Sequence, residues 1–424
     1  MELGFVNFNT EEKQKAYKVL QIIRESQAID ELGIGRIRDA FSNVLFPGMS
    51  TLQHHAKYFA VLPSLYYTVC KGKYNNIREV RNKIIELEIR LTRQFVEASK
   101  NDETSDPFGI TGSGVLDAAE KDISKYVKYD PTYIYYNGMV TYGMIKSNAN
   151  IYSLILEQSR KYHDTPTRMK LKKGEDGPED ASELRGDRQI IATCEEHYDF
   201  FRNNELSLAL TYKEAEYIKK HIEQSEESKK SLLSYLLRHD IPVNANNSDD
   251  MPLQYDDLGV IWKDRYELPE EYRIPYILSV RFSNFINLLR IRYKYIYDKN
   301  TEQYESAEEM AQLFLDTWNK EKEELTVEKI AEIMFYCNPL VQETTVKNFC
   351  IDAARLLNDE KWEELDNKIK CREIQVKSRE RSKLCNPARY INAEFKLQRR
   401  ITYRWELVNI MINEIRKGIK YGKR

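Results

Sequence analysis

The residues best suited to contact nucleic acid stand near the start of the chain, between Arg36 and Phe59. Apolar residues at helical spacing precede the turn Phe46-Pro-Gly-Met49, and Ser50 with Gln53 three positions later forms a capping-box pattern for a second helix. Two helices joined by a short glycine-containing turn outline a helix-turn-helix, whose second helix reads base edges. An ordinary helical hairpin with a polar outer face has the same pattern. The candidate DNA contacts are Arg36, Arg38, Ser50, Thr51, Gln53, His54 and Lys57.

A second candidate is the basic end of the chain. Residues 377–424 contain fourteen lysines and arginines against four glutamates and no aspartate. Guanidinium groups neutralise phosphates, and Tyr390, Tyr403 and Trp405 could stack on exposed bases. Alternatively, the segment is a solvated face, or it docks against the acidic helices predicted over 302–332. The arginines that we assign to polyanion binding are Arg399, Arg400 and Arg404.

Residues for catalysis or metal binding do not form a recognisable set. The six histidines include no His-x-x-x-His pair, and Cys194 with His197 supplies only two of the three or four ligands that zinc requires. The glycines between Gly109 and Gly114 lack the Gly-Lys-Ser/Thr ending of a phosphate-binding P-loop. We therefore expect no metal and no cofactor, and the sequence names no catalytic residue.

One short segment predicts β-structure. Tyr133-Ile-Tyr-Tyr-Asn-Gly-Met-Val-Thr-Tyr142 places Asn137-Gly138 between two aromatic and β-branched arms. Because Asn-Gly favours the tight turn of a two-stranded hairpin, we predict a β-hairpin here. Its arms carry no lysine or arginine, which favours a packed sheet element over the DNA-contacting wing of a winged helix-turn-helix.

Helical periodicity dominates the rest of the chain. Apolar stripes predict long helices over 77–95, 270–297 and 405–419, among others. The predicted fold is mainly α and multidomain, with one small β-hairpin and a helix-turn-helix near the N-terminus. The predicted division is a helical domain at 1–165, a flexible charged linker or loop at 166–190, a helical domain at 191–300 and a helical domain with a basic end at 301–424.

Composition limits the class of protein. Of 424 residues, 42% are hydrophobic and 31% are charged, and the net charge is −2. These values are typical of a globular chain with more than one core. The sequence has no run of eighteen apolar residues and no signal-peptide pattern, so we expect a cytoplasmic protein without membrane contact. Its six scattered cysteines predict buried thiols rather than a disulfide framework.

Seven short sequence motifs resemble those of a known family. The first two are Asp30-Glu-Leu-Gly-Ile-Gly-Arg-Ile-Arg-Asp-Ala-Phe41 and Leu45-Phe-Pro-Gly-Met-Ser-Thr-Leu-Gln53, and the others lie at 56–59, 133–138, 210–216, 231–233 and 403–405. They resemble an uncharacterised bacterial family, the domain of unknown function 6361 proteins. The resemblance implies a gene neighbourhood with helicases and phospholipase-D-like nucleases of antiphage defence islands, and it implies no catalytic residue.

Together these features favour a non-catalytic DNA-binding or scaffold subunit of a bacterial antiphage defence complex. The expected partners are DNA and a helicase or nuclease subunit of the same system. The alternative is a metal-dependent nuclease, or another enzyme whose site is assembled from residues distant in sequence. A pure scaffold would neither bind nor cleave DNA.

Overall fold

The computed structural model describes residues 30–100, 108–164, 190–194, 198, 200, 206–244, 253–266, 268–390, 397 and 400–423. This part of the chain is mainly helical and contains no β-strand, although Ile145 and Ile191 form an isolated antiparallel bridge. In chain order, its α-helices are α1 (Gly35–Leu45), α2 (Lys57–Cys70), α3 (Ile77–Lys100), α4 (Leu116–Lys121), α5 (Pro131–Thr141), α6 (Ile151–Asp164), α7 (Tyr212–Gln224), α8 (Leu232–Arg238), α9 (Leu258–Arg265), α10 (Glu270–Asn300), α11 (Tyr304–Glu321), α12 (Val327–Tyr336), α13 (Thr344–Asn358), α14 (Trp362–Lys377), α15 (Pro387–Tyr390) and α16 (Trp405–Tyr421).

The helices belong to two compact units, each assembled from two separate stretches of sequence. Unit 1 takes its described residues from 30–45 and 254–403, and unit 2 takes them from 46–253 and 404–423. Helix α16 therefore completes the unit that contains α2 to α8. The division predicted at residues 165, 190 and 300 remains a prediction, and the predicted linker, except Ile190, lies outside the described residues.

Unit 1 is organised around α10, the longest of its helices, which packs against α1, α11 and α14. The buried ring of Phe41 on α1 stacks on Tyr336 with 5.8 Å between ring centroids and contacts Phe282 at 6.1 Å. Unit 2 has α2 at its centre, since nearly every side chain from Lys57 to Tyr66 is buried. The stripes predicted over 77–95, 270–297 and 405–419 lie in α3, α10 and α16, which confirms those helices.

The predicted β-hairpin is wrong, because residues Pro131–Thr141 form α5. The Asp130 side chain accepts a hydrogen bond from a first-turn amide, and proline occupies the first turn, where its missing N–H is not needed. Gly138 lies inside this helix. A Cβ at that position would stand 2.6 Å from the carbonyl oxygen of Gly48 and 2.8 Å from the ring of Phe59. Glycine is therefore used here for close packing, not for a turn.

The predicted helix-turn-helix is not supported either. Residues 51–56 are turns and irregular backbone, and α2 begins at Lys57 rather than at Ser50. The buried amide of Gln53 accepts a hydrogen bond from the Ser50 N–H at 3.0 Å and donates to the carbonyls of Gly48 and Ile134, each at 3.1 Å. The Gln53 side chain thus stabilises the turn that precedes α2. In addition, α1 and α2 belong to different units.

Candidate nucleic-acid interface

The two arginines predicted on α1 are both engaged within unit 1. Arg36 is largely exposed, and its Nη1 lies 3.3 Å from the carboxylate of Glu343. Arg38 lies with its Nη2 2.7 Å from the carboxylate of the next residue, Asp39. Either cation would have to exchange an acidic partner for a phosphate in order to bind nucleic acid, which weakens its net contribution.

Gln53 and Lys57, predicted as base-reading side chains, are each only 3% exposed. The ammonium of Lys57 lies 2.6 Å from the Glu214 carboxylate and donates to the carbonyl of Ala209 at 3.2 Å. A charge buried in this way is held by its partner, and separating the pair would be costly. Because both side chains are buried and α2 begins only at Lys57, the structure does not support a recognition helix that presents Gln53 and Lys57 to solvent.

The remaining predicted contacts of this segment differ in exposure. Ser50 and His54 are half-buried, whereas Thr51 is exposed. The ring of His54 packs edge-on against Phe108, with 5.1 Å between the ring centroids.

The basic C-terminal segment is divided between the two units. Arg400, in unit 1, lies with Nη1 3.1 Å from Asp256 and Nη2 3.6 Å from Glu321. Arg404, in unit 2, precedes α16 with a φ of 69° and donates to the carbonyl of Met49. Because Arg400 and Arg404 belong to different units, the structure does not show one shared basic face. The predicted contact Arg399 lies outside the described residues.

Two of the three aromatic residues predicted to stack on bases are buried in the protein. Tyr403 and Trp405 are each about 2% exposed. The hydroxyl of Tyr403 donates to the Ser279 carbonyl in unit 1, and the indole N–H of Trp405 donates to the Leu253 carbonyl in unit 2. Tyr390 is half-buried. The segment therefore supplies core residues to both units.

A different group of cations is suited to binding a polyanion. In unit 2, the ends of α2 and α6 meet beside the start of α3. The Nε2 of His163 lies 3.2 and 3.1 Å from the carbonyl oxygens of Lys71 and Gly72, and the Ser159 hydroxyl also donates to Gly72. Six exposed cations occupy these helix ends, and we call them the basic surface: Lys71, Lys73, Arg78, Arg81, Arg160 and Lys161.

Most of the basic surface lacks an acidic partner in the described part of the chain. Lys161 pairs with Glu157 at 2.7 Å, but no carboxylate described in the structure forms an ion pair with Lys71, Lys73, Arg78 or Arg160. The carboxylate of Glu79 instead accepts hydrogen bonds from Asn75 and Asn76, which lower its pKa. The surface thus keeps an excess of positive charge at neutral pH.

Exposed aromatic rings border the basic surface. The Lys71 ammonium lies 4.6 Å from the ring centroid of Tyr67, and Tyr162 packs edge-on against His163 at 5.4 Å. Both tyrosines are about half exposed. Positive side chains alternating with exposed aromatic rings are typical of surfaces that bind nucleic acid.

Tyr129 and Tyr133 form a second aromatic feature, which we call the tyrosine pair. Their ring centroids are 4.9 Å apart, and the Lys128 ammonium lies 5.4 Å from the centroid of Tyr129. The Asp130 carboxylate, between the two tyrosines in sequence, accepts a hydrogen bond from the Tyr133 N–H at 2.7 Å. This cap fixes the first turn of α5 and the backbone that carries the pair.

A buried polar group connects the tyrosine pair to the basic surface. Glu88 accepts hydrogen bonds from the N–H and the hydroxyl of Thr132, each at 2.7 Å, and burial followed by the Asp130 charge raises the pKa of Glu88 well above its usual range. Burial also raises the pKa of Asp130, while the positive charge of Arg81 acts in the opposite direction. Helix α3, which carries both Glu88 and Arg81, therefore contacts the first turn of α5 between the two tyrosines.

Local sequence signals for this surface exist but are short. Lys71-Gly-Lys-Tyr-Asn-Asn-Ile-Arg-Glu-Val-Arg81 carries four basic residues against one acidic residue, and Arg160-Lys-Tyr-His163 adds two more cations. Each run contains fewer basic residues than the C-terminal segment at 377–424. Only the packing of α2, α3 and α6 brings them together.

The described residues include neither a recognisable metal site nor a candidate membrane span. No group of three or more histidine, cysteine, aspartate or glutamate side chains among them is arranged to hold a metal ion. None of the described helices combines the length and apolarity needed to cross a bilayer.

Comparisons with known proteins identify a family but no activity. No curated protein and no solved structure matches the chain. A family model described as a family of unknown function (DUF6361) matches residues 1–266, so this chain belongs to the DUF6361 family.

Proposed function

We propose that the chain is a non-catalytic nucleic-acid-binding subunit of a bacterial antiphage defence complex, in which it acts with a helicase or nuclease partner. The observation that supports nucleic-acid binding is the basic surface, where four exposed cations have no carboxylate partner among the described residues. The sequence-predicted Arg36 and Arg400 differ from these cations, because both are already in ion pairs.

The physical basis is the release of counterions. A cation that neutralises a phosphate displaces condensed ions from the nucleic acid, and each neutralised phosphate adds about 0.7 to 0.9 to the slope of log affinity against log salt. Unpaired cations contribute fully, since they do not first break an internal ion pair. Removing three of these cations from the basic surface should therefore lower the slope by about 2 to 3.

The test is the triple charge reversal Lys71→Glu, Arg78→Glu and Arg160→Glu. Fluorescence anisotropy of labelled DNA, titrated at several salt concentrations, should show weaker binding and a flatter salt dependence than the wild type. The matched control reverses three exposed lysines outside the basic surface, Lys213, Lys220 and Lys230. This control changes the net charge by a similar amount and should retain most of the affinity and slope.

Two results would overturn the proposal. Equal losses in both triple variants would show that only net charge matters, and unchanged binding in the first would exclude the basic surface. Divalent-metal-dependent cleavage of plasmid DNA by the purified wild type would support the alternative, a metal-dependent nuclease. Circular dichroism of each variant checks that the fold is retained.

A further inference from the structure

We infer that the ligand of the basic surface is a single-stranded nucleic acid whose bases stack on the tyrosine pair. This inference rests on the proposed function, because it assigns a substrate class to the same surface. It adds a contribution that depends on the bases, whereas the basic surface by itself attracts any polyanion.

The exposure of the tyrosine pair is the first argument. The side chains of Tyr129 and Tyr133 are 47% and 64% exposed, although their rings are large and apolar. Their ring centroids lie 4.9 Å apart with the ring planes tilted by 41°, so the two rings pack against each other. Because Asp130 caps α5 at this point, the backbone that carries the rings is already ordered before any ligand binds. A base that stacks here orders little additional protein structure.

The chemistry of stacking selects a single strand. Every base has an aromatic face, and stacking on a tyrosine ring stabilises its binding without regard to sequence. In a duplex both faces of each internal base are covered by its neighbours, so an exposed tyrosine gains little from duplex DNA. Lys128, whose ammonium lies over Tyr129, can place its charge on the phosphate of a stacked nucleotide.

The position of Arg81 connects the rings to the cations. Arg81 lies on α3, whose Glu88 hydrogen-bonds the N–H and the hydroxyl of Thr132 beside Tyr133. The positive charge of Arg81 also counteracts the raised pKa of Asp130. A strand stacked on the tyrosine pair can therefore pass Arg81 and reach the other cations at the start of α3. An acidic protein segment would also satisfy these cations, but it would not require exposed aromatic faces.

The experiment compares three labelled probes of equal length, about twelve nucleotides: oligothymidylate, an abasic strand with the same phosphates, and a duplex. The full-length wild type should bind oligothymidylate at least about five-fold more tightly than the abasic strand. The variant Tyr129→Ala/Tyr133→Ala should lose this preference while retaining its affinity for the abasic strand. Tyr129→Phe/Tyr133→Phe should restore the preference, because phenylalanine keeps the aromatic face.

The chain offers a matched control in Tyr421, which is 68% exposed with the Lys420 ammonium 4.7 Å from its ring centroid. Tyr421→Ala should leave the preference intact. Equal wild-type affinity for oligothymidylate and the abasic strand would overturn the inference, while salt-dependent binding of both would leave the proposed function standing. An alanine pair that keeps the preference would also overturn it. No binding of any probe would overturn both.

Discussion

His55 and Glu414 form a largely buried contact that joins the turn before α2 to the C-terminal helix α16 in unit 2. The Nδ1 of His55 lies 2.9 Å from one carboxylate oxygen of Glu414, and its Nε2 lies 2.7 Å from the carbonyl oxygen of Phe108. Both partners accept hydrogen bonds, so the ring satisfies both when each nitrogen carries a hydrogen. The second oxygen of Glu414 accepts a hydrogen bond from the Ala56 N–H at 2.6 Å.

Removing this carboxylate should destabilise the protein. In Glu414→Ala, the Ala56 N–H and the His55 ring each lose an acceptor inside unit 2. Leaving buried donors unsatisfied costs about 1 to 3 kcal/mol, so we expect the free energy of unfolding to fall by about that amount. Urea denaturation followed by circular dichroism measures the change.

A double-mutant cycle with His55→Ala separates the contact itself from other effects. Because the two side chains are in contact, the two substitutions should be less damaging together than the sum of the single effects, with a coupling above about 0.5 kcal/mol. Additive effects would contradict the prediction.

The buried ion pair of Lys57 and Glu214 gives a second prediction. A lysine on an exposed recognition helix could be replaced at a cost under about 0.5 kcal/mol. Lys57→Met should instead lower the free energy of unfolding by about 3 to 5 kcal/mol, because Glu214 would remain buried without its cation. Thermal and urea denaturation check this value.

The variant Lys57→Met/Glu214→Gln is the informative control. Glutamine removes the stranded charge and keeps one acceptor oxygen for the Thr211 N–H, while its amide N–H can donate to the hydroxyl of Tyr198; both groups bond to Glu214 in the wild type. Part of the stability should return. A Lys57→Met protein as stable as the wild type would show that the pair is unimportant.

The misprediction of α5 shows what sequence patterns leave open. Asp130 followed by Pro131 is a helix-start signal, and Asn137-Gly138 is a hairpin signal, so the two compete within one segment. The helix is favoured because Gly138 packs against the Gly48 carbonyl, a contact between distant parts of the chain that no local pattern reports. The long helices α3 and α10 were predictable, since apolar residues recur at helical spacing over many turns of each.

The candidate site was less predictable than the helices, because it too depends on contacts between distant parts of the chain. Charge counts favoured the segment at 377–424, but whether a cation is available depends on its neighbours. Arg400 meets Asp256 only after folding, whereas Arg78 meets no carboxylate among the described residues. Sequence composition records the charges but not these pairings.

A third prediction concerns His221, whose ring nitrogen lies 3.1 Å from the Tyr142 carbonyl oxygen. Burial lowers the pKa of His221 in the folded protein. A histidine in the unfolded chain has a pKa of about 6.5. As the pH falls below that value, the unfolded chain binds a proton more readily than the folded one. The stability contributed by neutral His221 is therefore present above about pH 6.5 and lost as the pH falls toward the lowered pKa.

Comparison with His221→Gln isolates this effect, because all other titrating groups are shared. The free energy of unfolding of the wild type should fall more steeply between about pH 7 and pH 5 than that of the variant. Urea denaturation at several pH values gives both curves. Parallel curves would show that His221 does not contribute to the pH dependence.

The fourth prediction concerns α16, which lies beyond the family match at residues 1–266 and yet completes unit 2. Its polar residues bond to earlier segments of that unit: Asn409 donates to the Val243 carbonyl at 2.7 Å, and Arg416 donates to the carbonyls of Leu236 and Ile241 at 2.9 and 2.8 Å. Its apolar face is buried through Trp405, Val408, Met411, Ile412 and Ile415.

A chain that ends at Tyr403 should therefore fail to fold unit 2. Truncating a single large buried side chain to alanine costs about 2 to 5 kcal/mol, so removing Trp405 and the four aliphatic side chains together exceeds the whole stability of a typical domain, about 5 to 15 kcal/mol. Limited proteolysis should cleave the truncated chain within α7 and α8, which contact α16, while the full-length chain resists cleavage there. Two point variants of α16 supply a milder test. Ile412→Ala truncates a fully buried side chain and should lower the free energy of unfolding by about 2 to 5 kcal/mol. Ile410→Ala truncates a side chain that is 40% exposed and should lower it much less. Equal effects of the two isoleucine variants, or protease resistance of α7 and α8 without α16, would contradict the assignment of α16 to the core of unit 2.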